Sequence, residues 1–287
     1  LIGSEPKIAV KHAGEGPLLL LFHGIGGSKE NWDSQLNVLS TGFKAGAWDA
    51  RGYGDSQDYP GPCNFDDFAR AAEPYMAPHA LKDAKVAHTS SAIERGNWKL
   101  VMENNRECYH CSASHPELLR TLAEFDSTDD PRVSPAFRER ILEKQAQWTA
   151  QGLLHEVQQD AGHRWRVVRL PYIAGESMTM DGKPAVKRLL GNLTDADLGS
   201  MRLLHLPNTW NHLQGDHTVA FRVLPVGPRE TLVTTWWLVH KDAKEGVDYE
   251  LTHLTQVWNA TNEQDRRLVE TNQAGIANKA YEPGPYG

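Results

Sequence analysis

The chain has 287 residues, a formal net charge of −7 and 40% hydrophobic residues, so it is long enough for one large or two small domains with a buried core. Acidic and basic residues are interspersed, which argues against a nucleic-acid partner. The three cysteines argue for a reducing, cytoplasmic location, and the longest apolar run, 17–27, is too short to span a membrane and too far inside the chain to be a signal peptide.

The first quarter of the chain predicts an alternation of strands and helix. The segments "KIAVKHAG" and "PLLLLFHG" predict strands, "KENWDSQLNVLS" predicts a helix with Ser28 as its N-cap, and "FKAGAWDARGYGDS" begins with a third strand. This order is typical of α/β architecture. The pair His23-Gly24 and the segment 48–56 resemble the opening of the α/β-hydrolase family, in which the turn after the His-Gly pair helps to form the oxyanion hole. We therefore interpret residues 1–70 as a partial α/β-hydrolase-like segment.

A working hydrolase of that family needs a nucleophilic serine on a sharp turn. The G-x-S-x-G pattern permits such a turn because its small flanking residues tolerate the backbone conformation, but the pattern is absent here. The nearest candidates are Ser90 and Ser91 in "VAHTSSAI" and Ser177 in "GESMT", and they lack the paired glycines. Esterase activity is therefore an alternative hypothesis for this chain, not the leading one.

From about Tyr75 the pattern changes, after a boundary placed at 69–78. The segment "AFRERILEKQAQWTAQG" predicts a helix, and alternating apolar segments predict strands in "HRWRVVRL", "SMTM", "PAVKRLL", "SMRLLHL", "TVAFRVLPVG" and "ETLVTTWWLVH". The pair Asp181-Gly182 predicts a tight hairpin between two of them. A long helical pattern covers 247–277. Residues 75–287 are therefore predicted to form an α+β domain, with a helix-grip (START-like) antiparallel sheet around a long C-terminal helix and an internal cavity.

The stretch "ENNRECYHCSASHPEL" concentrates metal-binding side chains, with Glu107, His110 and His115 spaced as E-x2-H-x4-H. In a helix running through "NWKLVMENNRECYHC", Glu107 and His110 share a face, whereas a residue five positions after His110 points away. Pro116 disfavours helical backbone at the residue before it, so the helix should loosen near Ser114. The two imidazoles can then converge on one ion.

A ferrous site commonly takes two histidines and one carboxylate on a single face, which leaves positions open for oxygen. In the final helix Asp265 lies on an inward-facing stripe that also contains Leu254, Trp258, Thr261 and Leu268. An unpaired buried carboxylate is costly, so Asp265 needs a metal or a strong donor. The alternative is that Asp265 pairs with Arg266 or Arg267, or meets solvent.

The segments "GNWKLVMENNRECYHCSASHPEL" and "VWNATNEQDRRLVETNQAGI" resemble the catalytic domain of Rieske-type non-haem iron oxygenases. The similarity covers roughly Tyr75 to the C-terminus and is greatest to members that oxidise quaternary ammonium compounds such as glycine betaine, carnitine and stachydrine. The resemblance implies that His110, His115 and Asp265 bind a mononuclear Fe(II), and that Glu107 relays electrons from a Rieske cluster in a neighbouring subunit. It also implies oxidative N-demethylation with release of formaldehyde, an external electron-transfer reductase and a homotrimer.

The cysteines mark a departure from that family. A complete member carries C-x-H and C-x2-H motifs that hold a [2Fe-2S] cluster. Cys108-Tyr109-His110 matches the first only inside the catalytic motif, and C-x2-H does not occur, so we expect no [2Fe-2S] site in this chain and interpret it as a chimera. Cys108 and Cys111 also form half of a zinc motif, but no second pair accompanies them. We expect both to be small buried side chains that pack the helix.

Tryptophans on predicted strands are candidates for contact with the substrate, because aromatic faces attract quaternary ammonium groups. Trp210, Trp236, Trp237 and Trp258 lie on predicted strands or on the final helix, and the two selected as candidates are Trp210 and Trp237. An ordinary core position is at least as compatible with any single one of them. Trp236 and Trp237 are adjacent, so only one of them can face the cavity. A third hypothesis for the chain, beside the iron oxygenase and the esterase, is a non-catalytic module that binds small molecules in this cavity.

Overall fold

The computed structural model describes residues 7–23, 28–50, 54–57, 65–123, 130–159 and 164–282. The chain divides into two compact units, Leu1–Cys63 and Asn64–Gly287. The strands are β1 (Val10–Ala13), β2 (Leu18–Leu21), β3 (Lys44–Trp48), β4 (Ala84–Glu94), β5 (Gln158–Gln159), β6 (Trp165–Leu170), β7 (Ser200–His205), β8 (Thr209–Leu213), β9 (His217–Gly227) and β10 (Glu230–His240). The α-helices are α1 (Asp33–Leu39), α2 (Phe65–Met76), α3 (Trp98–Arg106), α4 (Cys111–Ser114), α5 (Pro135–Ala150) and α6 (Leu251–Ile276). Short 3-10 helices cover Lys29–Trp32, Ala77–His79, Leu81–Asp83 and Leu118–Arg120.

The first unit contains a three-stranded sheet of order β1-β3-β2, in which β3 is antiparallel to β1 and parallel to β2. Helix α1 lies against β3, where Leu36, Ala45 and Ala47 form a small core. The order strand, strand, helix, strand is the one that the sequence predicts. The hydrolase resemblance rests partly on Gly24 and residues 51–53, which lie outside the described residues, and it stays a prediction.

The second unit is built on a seven-stranded sheet of order β4-β10-β9-β8-β7-β6-β5. Every pairing within this sheet is antiparallel. Helix α6 follows the sheet in the chain and packs against it, so that the main core contains side chains from both. The prediction of an α+β domain with an antiparallel sheet and a long C-terminal helix is confirmed.

Helix α6 is 26 residues long and buries one side against the sheet. Its buried residues recur at spacings of three and four positions, as an amphipathic helix requires: Leu254, Val257, Trp258, Thr261 and Val269. This pattern agrees with the predicted inward stripe. Asp265 lies on the same face of the helix and therefore points towards the interior. Among the helices that the structure describes, none is both long and apolar enough to cross a bilayer.

The predicted hairpin around Asp181-Gly182 is wrong, because residues 177–190 form a loop of turns and bends with a single bridge residue. The buried carboxylate of Asp216 explains the difference. Its Oδ2 accepts hydrogen bonds from the backbone N–H groups of Ala185 at 2.7 Å and Val186 at 3.2 Å, and its Oδ1 accepts one from the Ser177 hydroxyl at 2.7 Å. These donors of the loop therefore bond to one carboxylate, and not to the backbone of a neighbouring strand.

None of the predicted strand segments covers β4 or β8, although Trp210 on β8 is predicted to lie on a strand. Ser90 and Ser91 lie within β4, and the Ser91 hydroxyl donates to Thr234 in the adjacent strand β10 at 3.2 Å. Ser177 is fully buried and bonded to Asp216. The three serines considered as nucleophiles thus belong to the sheet and to the loop, and none lies on a sharp turn between a strand and a helix.

Replacing Asp216 by alanine is expected to destabilise the protein by about 3 kcal/mol, because three buried donors lose a charged acceptor. Thermal and urea unfolding of Asp216→Ala measure the loss. The control is Asp242→Ala, since the Asp242 side chain is 65% exposed and its removal should change the stability by less than about 0.5 kcal/mol. Equal unfolding midpoints for the two variants would show that Asp216 does not hold the loop.

Candidate metal centre

Helix α3 ends earlier than the sequence predicts. It begins after Asn97, whose side chain accepts a hydrogen bond from the backbone N–H of Lys99 at 3.0 Å, and it ends at Arg106 instead of continuing to Cys111. The backbone at Glu107 is extended, with φ −117° and ψ 154°. The Glu107 carboxylate contacts the backbone N–H of Tyr109 at 3.1 Å and Nδ1 of His110 at 2.8 Å. These local hydrogen bonds compete with the helical ones and favour a turn at this point.

The early end of α3 brings the two histidines together. After the turn, the single-turn helix α4 separates His110 from His115, which has φ −124° and ψ 61° and directly precedes Pro116. The Nε2 atoms of the two imidazoles are 3.1 Å apart. The convergence of the histidines agrees with the prediction, although the chain leaves the helical conformation at Glu107 as well as next to the proline.

Asp265 joins the two histidines from α6. Its Oδ1 lies 3.0 Å from Nε2 of His115 and 3.5 Å from Nε2 of His110, and it accepts a hydrogen bond from the Asn104 side chain at 2.6 Å. The alternative pairings are not observed, because Arg266 and Arg267 both contact Glu263. The structure therefore brings together all three of the residues predicted as metal ligands.

The spacing of these three atoms suits a single metal ion. Their separations are 3.0, 3.1 and 3.5 Å. Ligand bonds of about 2.1 Å at angles of about 90–110° place neighbouring donor atoms about 3.0–3.4 Å apart. Two imidazole nitrogens and one carboxylate oxygen are also the donor set of mononuclear ferrous sites. Both the geometry and the chemistry of the three residues thus fit a divalent iron ion.

Hydrogen bonds behind the histidines orient both rings. Nδ1 of His110 contacts Glu107 Oε1 at 2.8 Å, and Nδ1 of His115 contacts Gln264 Oε1 at 2.8 Å. Gln264 in turn donates from Nε2 to Glu117 at 2.7 Å. An oxygen acceptor at Nδ1 favours the tautomer with its proton there, which leaves the Nε2 lone pair for a metal. Glu107 thus contacts a candidate ligand while its side chain stays 28% exposed.

The charges of the three groups are coupled. The hydrogen bond to Asp265 raises the pKa of His110. Burial lowers the pKa of His115, but the hydrogen bond to Asp265 and its negative charge outweigh burial, so the pKa is raised. For Asp265, burial raises the pKa, and the hydrogen bonds to the two imidazoles more than compensate, so it is lowered. The ionised carboxylate therefore attracts positive charge to this point, which a proton or a metal cation supplies.

The cysteines differ from the prediction. Cys108 and Cys111 form a disulfide, with a Cα–Cα distance of 5.0 Å, so they are neither separate thiols nor simple packing residues. The bond spans the turn that contains His110, and Cys111 Sγ lies 4.0 Å from Nε2 of that histidine. His110, Cys111 and His115 offer donor atoms within 4.8 Å of one another. Because the two sulfurs are bonded to each other, neither is a thiolate, and the zinc alternative gains no support.

The three candidate ligands lie at the wall of a cavity with a volume of about 260 Å³. Trp210, Trp258 and His212 also line it. The Trp258 ring centroid lies 4.8 Å from that of His212 and 4.7 Å from that of Phe221, on which Trp210 stacks at 4.8 Å. A cavity of this size suits a small ligand, and one part of its lining is aromatic.

Only one of the two candidate tryptophans reaches the cavity. Trp210 contributes to its lining, whereas Trp237 does not: it is fully buried in the core, with its ring centroid 5.3 Å from that of His88. Trp237 is therefore a core residue in this structure, and its contact with substrate stays a prediction. Its neighbour Trp236 projects from the other face of β10, where the Arg222 guanidinium lies 5.4 Å from its ring centroid.

Several residues of the site are missing from the sequence prediction. Asn104 and Gln264 bind the candidate ligands through side-chain amides, which no spacing rule singles out. Trp258 stands on the predicted inward stripe of α6, seven positions before Asp265, so its place on the cavity wall follows from that stripe. Arg166 and Arg202 also line the cavity, on strands that carry no motif.

Two imidazoles and one carboxylate that converge on the wall of a cavity within an α+β domain match the donor set that mononuclear non-haem iron oxygenases use. The family described as ring hydroxylating alpha subunit (catalytic domain) matches residues 81–287. The chain belongs to this family. Mononuclear non-haem iron is the metal that the family implies for this domain.

The relatives are oxygenase subunits. The glycine betaine monooxygenase oxygenase subunit of Chromohalobacter salexigens is 54% identical over 226 residues, which cover 78% of this chain and 51% of that protein. The subunit of the same name from Pseudomonas aeruginosa is also 54% identical over 226 residues, with 78% of this chain and 52% of that protein covered. The chain thus spans about half the length of the relatives it matches.

Solved structures give fold-level matches. The quaternary ammonium Rieske monooxygenase CntA, in complex with an inhibitor, matches over 79% of this chain and 49% of that chain, with 16% identity and a TM-score of 0.49. Naphthalene 1,2-dioxygenase from Rhodococcus sp. matches over 78% of this chain and 52% of that chain, with 14% identity and a TM-score of 0.46.

A second buried carboxylate influences the site. Glu94, at the end of β4, is 4% exposed, and its Oε2 has no hydrogen-bond partner in the part of the chain that the structure describes. Burial, together with the negative charges of Asp265 and Glu270, raises the pKa of Glu94 to about 8. Glu94 is therefore protonated at neutral pH and does not add another negative charge near Asp265.

Replacing Glu94 by glutamine is expected to stabilise the protein at pH 8 and to change little at pH 5. Between the ordinary carboxyl pKa and a pKa of about 8, the unfolded chain loses this proton while the folded chain keeps it, so stability falls as pH rises. The variant escapes that loss, and its Tm at pH 8 should rise by roughly 5 °C. In the control variant Glu230→Gln, at an exposed position, the pH dependence should be unchanged. A lower Tm for Glu94→Gln at pH 8 would contradict this assignment.

Proposed function

We propose that this chain is the mononuclear iron domain of an oxygenase that removes an N-methyl group from a quaternary ammonium compound such as glycine betaine. The observation that carries the proposal is the convergence of His110, His115 and Asp265 within 3.5 Å of one another on the wall of a cavity. We assign residues 75–287 to this catalytic domain and keep residues 1–70 as a separate, partial α/β-hydrolase-like segment.

The three converging residues hold the metal in this proposal. Fe(II) held there would provide the site for dioxygen activation: with two electrons from the external source and two protons, one oxygen atom would enter a methyl C–H bond and the other would leave as water. His110 and His115 ligate through Nε2, since their Nδ1 atoms face Glu107 and Gln264. Asp265 supplies the carboxylate ligand, and the Asn104 amide keeps it in place. The hydroxymethyl product then breaks at the C–N bond to release formaldehyde and the demethylated amine.

Glu107 is assigned to electron entry. It bridges the exterior and a candidate ligand, because its carboxylate contacts His110 while part of it is exposed. The adjacent Tyr109 is 81% exposed, so this turn lies at the protein surface. The electrons come from an external Rieske and reductase source, and the family resemblance supports a homotrimer in the cytoplasm. Family membership supports these partners.

The substrate class rests on the relatives and on the cavity. Both relatives are named for glycine betaine, a small trimethylammonium compound. The aromatic faces of Trp210 and Trp258 suit such a group, because a quaternary cation is attracted to the negative face of an aromatic ring. The volume of about 260 Å³ suits a molecule of that size.

Peroxide-driven turnover tests this proposal without a Rieske partner. The chain loaded anaerobically with ferrous iron should bind about one iron and, when hydrogen peroxide is added, release formaldehyde from glycine betaine. His110→Ala, His115→Ala and Asp265→Ala should each lower iron content and formaldehyde release at least about tenfold, because each removes a ligand. Glu107→Gln should keep both within about threefold, since its amide oxygen still accepts from His110 and peroxide brings oxygen that is already reduced.

His240→Ala is the matched control, because His240 lies on β10 outside the cavity lining. Iron content that is unaffected by replacing both His110 and His115 would refute the metal site. Peroxide-driven activity that needs Glu107 as much as the histidines would move Glu107 from electron entry to metal ligation or proton transfer.

A further inference from the structure

Two arginines stand side by side on the sheet wall of the cavity. Arg166 lies on β6 and Arg202 on β7, and both line the cavity. Arg202 is directly opposite Val168, and Arg166 is directly opposite Leu204, in the antiparallel ladder between these strands. Residues directly opposite each other share a face, and the diagonal partners have Cβ atoms about 7–8 Å apart. The two guanidinium groups therefore project from neighbouring strands on the same side of the sheet.

The protein contacts both side chains. Nη2 of Arg202 donates to the backbone carbonyl of Ala123 at 2.7 Å, and both arginines make further interactions within the protein. A guanidinium has five N–H donors in a rigid planar fork, so it can keep protein contacts while it binds a ligand. A carboxylate matches this fork, because its two oxygens accept two parallel hydrogen bonds.

Aromatic side chains from β8 and α6 line another part of the same cavity. His212 lies directly opposite Arg202 in the ladder between β7 and β8, and its ring centroid is 4.8 Å from that of Trp258 on α6. Trp258 precedes Asp265 by seven residues, which is about two helical turns or 10 Å along α6. Trp258 is therefore next to the strand partner of Arg202 and about two helical turns from Asp265.

Charge is separated across the cavity. Among the described residues of its lining, the carboxylates are Glu107, in the turn after α3, and Asp265, on α6. Arg166 and Arg202 come from the sheet, while Arg106 is next to Glu107 in the chain. A ligand with a cation at one end and an anion at the other complements this arrangement better than a simple cation does.

We propose that Arg166 and Arg202 form the carboxylate-binding subsite of the cavity and select zwitterionic quaternary amines over those with a neutral polar end. The carboxylate binds the two guanidinium groups, and the trimethylammonium group then lies over Trp258 with a methyl group directed towards the metal ligands. This inference rests on the proposed function for the ammonium part of the substrate, and it adds the residues that recognise the other end.

Isothermal titration calorimetry tests the subsite by measuring ligand affinity without turnover. Glycine betaine, choline and 3,3-dimethylbutyrate are titrated into the metal-free chain and again after anaerobic ferrous loading. Glycine betaine should bind at least about tenfold more tightly than choline. Arg166→Gln and Arg202→Gln should each weaken binding of glycine betaine and of dimethylbutyrate by roughly 10- to 100-fold and leave choline within about twofold. Arg202→Lys should recover only part of the loss, because an ammonium lacks the fork.

The matched control is Arg222→Gln, an exposed arginine beside Trp236 on the other face of the sheet, which should leave all three affinities unchanged. Thermal unfolding checks each variant, and if Arg202→Gln does not fold, Arg166→Gln and Arg202→Lys provide the same comparison. The subsite would be overturned if the arginine variants lost equal affinity for choline and for glycine betaine. It would also be overturned if replacing either arginine left the affinity for glycine betaine unchanged. Iron content measured on the same samples tests the proposed function separately, because His110, His115 and Asp265 are assigned to hold the iron and the arginines are assigned to the carboxylate.

Discussion

The second unit is arranged around one constraint, which is that three candidate metal-ligand atoms converge on one point. Two imidazole Nε2 atoms and one carboxylate oxygen lie within 3.5 Å of one another, although two of them come from one short turn and the third from a helix about 150 residues later. Two facing imidazole lone pairs repel each other unless a proton or a metal ion lies between them. The ionised Asp265 attracts that positive charge, and its hydrogen bonds raise the pKa values of His110 and His115.

Helix α6 links this site to the stability of the fold. The same face that buries Leu254 and Val257 against the sheet carries Trp258 to the cavity and Asp265 to the histidines. The helix cannot rotate to move Asp265 without exposing the apolar residues on that face, so packing fixes the position of the carboxylate ligand. The hydrogen bonds to the Nδ1 atoms of the histidines also fix ligand positions, because they orient each imidazole before any metal binds.

How far sequence patterns predict this structure depends on the range of the forces involved. The inward position of Asp265 follows from helical periodicity, and the bend near His115 follows from Pro116, because both are local. The end of α3 at Glu107 does not follow, since side-chain hydrogen bonds to the next turn decide it. The loop at 177–190 and the burial of Trp237 depend on partners distant in sequence, which periodicity does not reveal. The disulfide lies in the turn after α3, which the predicted continuous helix does not contain.

X-ray absorption at the iron edge of the ferrous-loaded chain is the measurement that tests the metal centre most directly. It reports which atoms surround the metal, whether or not the chain turns over substrate. The structure predicts two imidazole nitrogens and carboxylate oxygen at about 2.0–2.2 Å, with no sulfur neighbour, and loss of the imidazole signal in the variant lacking both His110 and His115. A sulfur neighbour at about 2.3 Å, or an iron environment unchanged by removing both histidines, would contradict the account.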